Sequence, residues 1–392
     1  MRPVSLRNAQ LLGAGGRVDV HVEGERVARI TPPGEVPGAE GDVDLRGRVL
    51  LPGFVNAHDH LDFSTFPALG RPPYPSLYEW AADVDAGKGD PRIRGALAVE
   101  LVDRLFLGGL RNLLCGVTAV AHHGPYHRSL GRAGFPVRVL SRYDFAHSPG
   151  LTRDARKTYR TSDRRIPWMI HAAEGTDERC RAEIAWLDEK KLLRQNSVIV
   201  HGICVSAQDA ARIAAARACV VWCPESNRLL YGATAPVTLL RSSGVRVALG
   251  SDSPASGVRD ALSNLAAARR EGVLKDEELL EIATRESALV ARLPGGELAV
   301  GSPADFVATS SLDGLLSGRR ASVALVAVAG RPLYGDPDLV GSLLRDPSSV
   351  LVDGVPRLIE RGIGRRAAAL QKRHRGLATG PGWLSGVRFE LG

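Results

Sequence analysis

The stretch PGFVNAHDH, residues 52–60, places two histidines directly after an apolar run. The run predicts a β-strand, and on a strand the side chains of residues i and i+2 point to the same face. The imidazoles of His58 and His60 can therefore reach one metal ion. The pair alone is weak support for a metal site, because this spacing also arises by chance.

Three further polar residues follow apolar runs in the same way. His171 follows IPWMI, His201 follows SVIV, and Asp252 follows RVALGS. In a parallel α/β barrel the carboxyl ends of the strands converge on one face, where active sites lie. The shared position predicts a single site. The alternative is a set of unrelated core or capping side chains with ordinary hydrogen bonds.

Strand and helix patterns alternate between residues 54 and 293, which predicts a parallel sheet. The expected fold class is α/β, with a distorted (β/α)8 TIM barrel. Only seven strands are evident, and the short interval between Phe145 and Ile166 predicts that one strand–helix unit is missing or shortened. The predicted strands are Gly53–Ala57, Val117–Ala121, Val137–Leu140, Ile166–Ile170, Val198–Val200, Val220–Trp222 and Val245–Leu249.

Short apolar runs separated by turn residues occupy both ends of the chain, as in VDVHVEG (18–24) and GELAVGSPADFV (296–307). These runs predict a small β-sandwich built from both termini. The predicted domains are the two parts of this sandwich at 1–53 and 294–350, the metal-dependent barrel at 54–293, and a basic C-terminal tail or helix at 351–392.

The composition is that of a globular chain, with 44% hydrophobic and 24% charged residues. No apolar run is long enough to predict a membrane span. The net charge of +8 is concentrated at one end, because residues 351–392 hold eight basic and three acidic side chains. The five cysteines are scattered and odd in number, and no secretory signal pattern opens the chain. We therefore expect a cytoplasmic protein.

Glu174 comes three residues after His171, in HAAEG. If the strand ends near His171, the Glu174 carboxylate lies in the loop above the site and can carry protons. The alternative is an ordinary glutamate at the surface or at a helix N-terminus.

The combined motifs resemble those of the amidohydrolase superfamily, in its cytosine deaminase and chlorohydrolase-like branch. CPESNRLL (223–230) is similar to the CPxSN segment of homocysteine-nucleoside and guanine deaminases. The other segments that carry the resemblance are LRGRVLLPGFVNAHDH (45–60), GVTAV (116–120), His171 with Glu174, His201, GSDS (250–253) and GELAVGSPADFV (296–307).

The resemblance implies a site with one divalent metal ion and a hydroxide on that metal as the nucleophile. It implies that His201 orients the attacking water, that Asp252 takes the proton of this water, and that Glu174 is the proton shuttle. The metal ligands that it implies are His58, His60, His171 and Asp252.

A two-metal site in this superfamily uses a carboxylated lysine on the fourth strand. None of the six lysines follows a strand in that way, and Lys157, the nearest, lies in a helical pattern. A single metal is therefore favoured. Zinc suits three histidines and an aspartate, and Fe²⁺ and Mn²⁺ are the alternatives.

Several other residues are predicted to contact the substrate. Trp80 lies in a Pro-rich aromatic loop at 66–84, which either covers the pocket or is anchored by its aromatic side chains. His122 and His123 end another strand and are interpreted as substrate contacts, auxiliary metal ligands or ordinary loop histidines. Glu225 and Asn227 follow the predicted strand Val220–Trp222 and can hydrogen-bond a polar heterocycle.

The function expected is metal-dependent hydrolysis of a non-peptide C–N bond, as a deaminase of an amino-substituted N-heterocycle. The first alternative is hydrolysis of a cyclic amide, imide or urea at the same metal. The second is a non-enzymatic binding protein whose basic tail engages nucleic acid or a membrane. For the enzyme we expect a small-molecule substrate and neither nucleic acid nor membrane as partner, and a homo-oligomer remains open.

Overall fold

The computed structural model describes residues 4–12, 15–152, 155–374 and 386–390. Its strands, in chain order, are β1 (Val4–Leu11), β2 (Arg17–Glu23), β3 (Arg26–Thr31), β4 (Val43–Asp44), β5 (Val49–Pro52), β6 (Phe54–Asp59), β7 (Val117–His122), β8 (Arg138–Val139), β9 (Asp144–Ala146), β10 (Trp168–Ala172), β11 (Ser197–His201), β12 (Cys219–Trp222), β13 (Arg246–Leu249), β14 (Phe306–Thr309), β15 (Val323–Val328), β16 (Arg331–Gly335), β17 (Ser348–Val352), β18 (Val355–Ile359) and β19 (Val387–Phe389).

Helices connect most of the barrel strands, and others lie beside the β-rich unit. They are α1 (Leu77–Ala86), α2 (Pro91–Leu97), α3 (Leu101–Leu113), α4 (Ala155–Thr161), α5 (Glu178–Arg181), α6 (Glu183–Glu189), α7 (Ala207–Ala215), α8 (Pro224–Tyr231), α9 (Val237–Ser242), α10 (Ala261–Arg270), α11 (Asp276–Glu281), α12 (Ser287–Ala291), α13 (Leu312–Leu316), α14 (Pro337–Val340) and α15 (Arg361–Arg373).

The strands β6 to β13 form the parallel part of the fold, which confirms the predicted barrel-like α/β architecture. β6, β7 and β8 pair in one sheet, and β9 to β13 pair in a second. The two sheets meet where Ser251 donates its backbone N–H to the His58 carbonyl at 2.9 Å. Asp59 and Asp252 form a parallel bridge at the same place. In the part of the chain that the structure describes, no ladder joins β8 to β9.

The eighth strand is present, and the element missing beside it is a helix. β9 follows β8 after only residues 140–143, which leave no room for a helix between them. The sequence placed the gap after Phe145, but Phe145 itself lies within β9. A strand of three residues carries too little periodicity to be recognised in the sequence.

The barrel strands are continuous apolar runs because both faces of the sheet are covered. Every residue of β6, β7, β10 and β11 is buried. Small and branched side chains fill the interior of the barrel, among them Ala57, Ala119, Val200, Val221 and Ala248. The interior of the barrel is therefore filled by side chains, and the histidines lie at the ends of the strands, next to this packed interior.

Strands from both ends of the chain form the β-rich unit, as predicted. They are hydrogen-bonded into one continuous sheet of 11 strands, in which β5 joins the N-terminal strands to the C-terminal ones. Leu51 of β5 lies opposite Val307 of β14 in this antiparallel pair. The chain therefore enters the barrel from this sheet and returns to it afterwards.

The region predicted as a basic tail or helix contains strands as well as a helix. β17 and β18 form a hairpin whose turn residues, Asp353 and Gly354, have φ values of 51° and 79°. An Asp-Gly pair favours this turn because both residues tolerate positive φ. The helix α15 follows, and β19 returns to pair with β17. Residues 375–385 and 391–392 of the predicted tail lie outside the described residues.

One hydrophobic core joins the sheet to the barrel. The same cluster of buried side chains contains Leu113 and Val117 beside the barrel and Val307, Val326 and Tyr334 in the large sheet. Within the described ranges, no helix combines the length and the apolar character needed to cross a bilayer.

Candidate metal centre and proton-transfer site

The four predicted ligands converge at the carboxyl ends of β6, β10 and β13. The Nε2 atoms of His58 and His171 lie 3.3 Å apart. Asp252 Oδ1 lies 3.9 Å from His58 Nε2 and 3.8 Å from His60 Nε2. All four side chains are buried. The geometry therefore brings three imidazoles and one carboxylate together at the carboxyl ends of the strands.

The three imidazoles are held in their neutral form. Burial lowers the pKa of His58, His60 and His171 well below the ordinary histidine value, and the neighbouring imidazoles lower it further. Neutral imidazole is the form that binds metal ions. His171 Nδ1 lies 2.7 Å from the His147 carbonyl oxygen, to which it donates. This bond leaves Nε2 with its lone pair toward the other ligands.

The donor set fits a divalent metal ion. The ligand atoms of His58, His60 and Asp252 lie within 4.8 Å of one another, as do those of His58, His171 and His201. Three imidazole nitrogens with one carboxylate oxygen match the four-coordinate sites of zinc and related cations. Without such an ion, the group would be a set of closely packed polar atoms with few partners, which is costly inside a protein.

Asp59 supports the two histidines that flank it from the opposite face of β6. Its Oδ1 accepts a hydrogen bond from Arg111 at 2.5 Å, and both side chains are fully buried. Its Oδ2 accepts from Asn56 at 3.0 Å, from Asn112 at 2.8 Å and from Ser251 at 3.2 Å. This network ties β6 to α3 and β13, and so fixes the direction of the strand that carries His58 and His60.

Glu174 and His201 lie together beside the ligand cluster. Glu174 Oε1 is 3.4 Å from His201 Nε2. It also accepts a hydrogen bond of 2.7 Å from the Tyr231 hydroxyl. His201 Nδ1 donates to Asn227 Oδ1 at 2.7 Å. Burial raises the pKa of Glu174 to about 7, although His201 and Tyr231 both favour its charged form. This carboxyl group can therefore both accept and release a proton near neutral pH.

Three of the eleven non-glycine residues with positive φ in the described ranges lie at the site. His201, Asp252 and Ala173 have φ values of 76°, 58° and 53°, in the left-handed region that side chains other than glycine rarely adopt. Such conformations cost free energy and persist where the surroundings enforce them, as at active sites. These three residues lie at or just after the strand ends that carry the predicted site residues.

The sequence profile described as the amidohydrolase family matches residues 136–355, which is more than half of the chain. The chain belongs to the amidohydrolase family. It is 27% identical to the 8-oxoguanine deaminase of Pseudomonas aeruginosa, with 96% of this chain and 97% of the relative aligned. It is 26% identical to the 5-methylthioadenosine/S-adenosylhomocysteine deaminase of Halobacterium salinarum, over 70% of this chain and 75% of the relative.

Solved structures share the fold of this amidohydrolase. An adenosine deaminase from Xanthomonas campestris with bound zinc superposes with a TM-score of 0.72, covering 95% of this chain and 98% of its own. The sequence identity to that protein is 19%, so the likeness is one of fold.

A segment of this amidohydrolase is bonded to the loop that carries Glu174. We call residues 66–76 the strap. Its end is fastened to the Glu174 loop, where Thr176 N donates to the Pro75 carbonyl at 2.7 Å and Leu77 N donates to the Glu174 carbonyl at 2.9 Å. The sequence left open whether this loop covers the pocket or is only anchored. Its bonds to the Glu174 loop show that it is anchored there, and its covering of the pocket stays a prediction.

The aromatic residues near the strap are engaged in anchoring. Trp80 is half-buried, and its indole N–H donates to the Leu69 carbonyl at 3.2 Å. Tyr78 is buried and donates its hydroxyl proton to Glu183. Glu183 also accepts the backbone N–H of Ala173 at 2.7 Å, which holds the strained turn between His171 and Glu174. The substrate contact predicted for Trp80 stays a prediction.

Of the other predicted substrate contacts, two touch predicted site residues directly. His123 stacks on His171 with ring centroids 4.2 Å apart, and Asn227 holds His201. His122 Nδ1 accepts a hydrogen bond of 3.3 Å from the Leu61 backbone N–H. Glu225 is hydrogen-bonded to Ser263 at 2.5 Å. Their roles toward a substrate stay predictions.

Sequence reasoning missed three supporting side chains. Arg111, Glu183 and Tyr231 are all buried and bonded to site residues or to the loop that carries them. A charged or hydroxyl side chain inside an apolar helical pattern was the available signal. The pattern did not identify their partners, because the partners are distant in the chain.

Proposed function

We propose that this amidohydrolase hydrolyses a non-peptide C–N bond and removes an amino group from a nitrogen heterocycle. The observation that carries the proposal is the pairing of Glu174 with His201 beside the cluster of histidines and Asp252. A family relative aligned over nearly the whole chain is an 8-oxoguanine deaminase, which supports this class of reaction.

His58, His60, His171 and Asp252 would hold one divalent cation, and zinc suits this donor set best. When bound, such a cation acts as a Lewis acid and lowers the pKa of a coordinated water toward neutrality. The supporting shell of Asp59, Arg111 and Asn56 would keep the ligands in place without contacting the metal.

The remaining chemistry falls to Glu174, His201 and Asp252. Asp252 Oδ1 lies near two of the imidazoles and can accept the proton of the attacking water. Glu174 Oε2 is buried and has no hydrogen-bond partner within the described ranges, so it is the oxygen available to a substrate. A protonated Oε2 can donate its proton to a ring nitrogen. The proton that Asp252 has taken from the water can then pass to the departing amine, and the hydroxyl proton on the attacked carbon returns to Glu174 as the C–N bond breaks. His201 donates a hydrogen bond to Asn227 through Nδ1, and its Nε2 lies beside Glu174.

Apolar and aromatic side chains lie next to Glu174. Ile203, Leu230 and Tyr231 form an apolar cluster with Tyr74 and Trp80. Tyr231 touches Glu174, so this cluster borders the proton-transfer site. Aromatic and apolar walls with a few polar groups are typical of sites for heterocyclic ligands.

Ammonia release from a panel of amino-substituted purines, pyrimidines, pterins and triazines tests the proposal. We expect the zinc-loaded protein to release ammonia from one ring class, and chelation of the metal to abolish the release. Glu174→Gln should lower kcat by about 10²–10⁴-fold, because a positioned acid–base group contributes that much. The matched control is Glu178→Gln, since Glu178 is 97% exposed and lies on α5.

Two outcomes would contradict the proposal. Full turnover by Glu174→Gln would remove the proton-transfer role. Products with an opened ring and no free ammonia would instead assign the site to cyclic amide, imide or urea hydrolysis.

A further inference from the structure

We propose that Tyr231 is a positioning residue for the reaction, which holds Glu174 Oε1 and thereby leaves Oε2 as the oxygen that exchanges a proton with the substrate. The proposal rests on the proposed function, since it concerns the group that carries the proton. It adds a residue that neither the motifs nor the predicted contacts contain.

The two oxygens of Glu174 have different surroundings. Oε1 accepts the Tyr231 hydroxyl at 2.7 Å and lies 3.4 Å from His201 Nε2. Oε2 is buried and has no partner within the described ranges. A buried carboxyl oxygen without a partner is costly, and native structures retain such an atom where a ligand supplies the missing bond. Oε2 is therefore the oxygen of Glu174 that can form a hydrogen bond with a substrate.

The hydroxyl of Tyr231 is well suited to create this asymmetry. Tyr231 is 5% exposed and Glu174 is 4% exposed, so water does not compete for their bond. The phenolic O–H has one proton to donate, and Glu174 is the acceptor that the structure gives it. Burial raises the pKa of Tyr231 well above its ordinary value, so the hydroxyl keeps that proton throughout the working pH range.

One helix positions both proton-handling residues. Asn227 and Tyr231 are four residues apart on α8, and residues at this spacing share a helix face. Asn227 holds His201 Nδ1 at 2.7 Å, and Tyr231 holds Glu174 Oε1 at the same distance. Tyr231 ends the helix, and Gly232 follows with a φ of 67°, as a left-handed C-terminal cap requires. The face of α8 therefore sets the geometry between His201 and Glu174.

The strap reinforces this arrangement. Tyr74 N, in the strap, donates to the Leu230 carbonyl at 2.8 Å, so it is fastened to the last turn of α8. The other end of α8 is tied to α10, where Asn264 Oδ1 accepts the Glu225 N–H at 3.2 Å. With both ends of the helix attached, the Tyr231 hydroxyl has little freedom to leave Glu174.

Tyr231→Phe removes the hydroxyl and keeps the ring in its apolar cluster. We expect kcat on the substrate found by ammonia release to fall about 10–100-fold, the range for one hydrogen bond to a charged group. KM should change by less than about 3-fold, because the bond acts on the transition state rather than on substrate binding. The matched control is Tyr159→Phe, a buried tyrosine whose hydroxyl donates to Asn196 Oδ1 at 3.4 Å on the outside of the barrel.

A double-mutant cycle separates action through Glu174 from other roles. In a Glu174→Gln background, Tyr231→Phe should lower kcat no further, since the group it positions is already gone. Bound zinc, measured on each variant, should match that of the parent chain, and Tyr231→Phe should melt only a few degrees lower, because Glu174 Oε1 loses a buried donor.

The infrared carboxyl band supplies a readout that needs no substrate. The difference between the parent chain and Glu174→Gln isolates the band of Glu174. We expect Tyr231→Phe to shift this band, because Oε1 loses its donor, and Tyr159→Phe to leave it in place.

The outcomes distinguish this proposal from the proposed function. An unshifted Glu174 band, or full kcat in Tyr231→Phe while Glu174→Gln is inactive, overturns the role of Tyr231 and leaves the proposed function standing. A further, multiplicative loss in the double variant shows that Tyr231 acts elsewhere, and also overturns it. Full turnover by Glu174→Gln overturns both.

Discussion

Asp59 shows how one side chain can serve a site without entering it. It lies between His58 and His60 in the chain, but on a strand it points to the other face. There it is the carboxylate partner of Arg111, whose guanidinium is buried behind the ligand cluster. Burial raises the pKa of Asp59, while Arg111 opposes the rise by favouring the charged form. Removing either side chain would therefore leave the other as a buried charge without a partner.

Asp59→Asn should destabilise the protein strongly, because it leaves the Arg111 charge buried without a counter-ion. We expect the free energy of unfolding in urea to fall by about 3–5 kcal/mol. The control is Asp85→Asn, which removes the exposed partner of Lys88 on the surface and should leave the unfolding curve unchanged. An Asp59→Asn chain as stable as its parent would show that the network does not depend on this charge.

At the scale of elements, α6 holds the turn that carries Glu174. Glu183, the first residue of α6, accepts the Ala173 N–H at 2.7 Å and the Tyr78 hydroxyl proton. Tyr78 belongs to α1, directly after the strap, and Arg179 of α5 lies over its ring at 3.3 Å from the centroid. One buried carboxyl group thus connects the strap, the turn after β10 and the helix pair α5–α6.

Glu183 makes stability depend on pH. Burial raises the pKa of Glu183 to about 7, above the ordinary value of 4.5. The folded chain then binds more protons than the unfolded chain between these values, so stability falls as pH rises through this window. We expect the parent chain to lose up to about 3 kcal/mol relative to Glu183→Gln between pH 4.5 and pH 7.5.

Urea unfolding at several pH values measures this difference. Glu178→Gln serves as the control, because Glu178 lies one turn earlier and is exposed to water. Parallel pH curves for the parent chain and Glu183→Gln would contradict the prediction.

At the scale of the whole molecule, one buried arginine links the barrel to the large sheet. Arg320 is 2% exposed and pairs with Asp353, in the hairpin turn between β17 and β18, at 2.5 Å. It also lies 3.8 Å from Asp260, which caps the N-terminus of α10 in the barrel. Because the two parts also share one hydrophobic core, we expect them to unfold together.

Arg320→Met should lower the free energy of unfolding by about 3 kcal/mol, because it leaves Asp260 and Asp353 with fewer counter-charges. Arg259 still contacts Asp260 at 2.9 Å, which limits the loss. The control is Arg361→Met, whose exposed pair with Asp346 should contribute less than about 1 kcal/mol. Circular dichroism and tryptophan fluorescence should follow one transition in every variant. Separate transitions would show that the barrel and the sheet fold independently.

The barrel layer and the places of the polar strand ends followed from the sequence, because both depend on local patterns. Continuous apolar runs predict buried parallel strands, and the position just after each run predicts which residues reach the active face. His58, His60, His171, His201 and Asp252 were predicted in this way, and the structure brings them together. The short strand β9 and the Asp-Gly hairpin at 353–354 were missed. The first has only three residues, and the second lies beside a segment interpreted as helical.

The pairing of distant side chains was decided by the tertiary structure alone. Tyr231 and Glu174 are 57 residues apart, and Arg111 and Asp59 are 52 apart. Their contacts depend on how α8 and α3 pack against the strands, and no local periodicity specifies that packing. The same packing buries Glu174, and the loss of water around its carboxyl group raises its pKa. Residue type and spacing therefore determined which groups the chain carries, whereas packing determined which of them meet and in what protonation state.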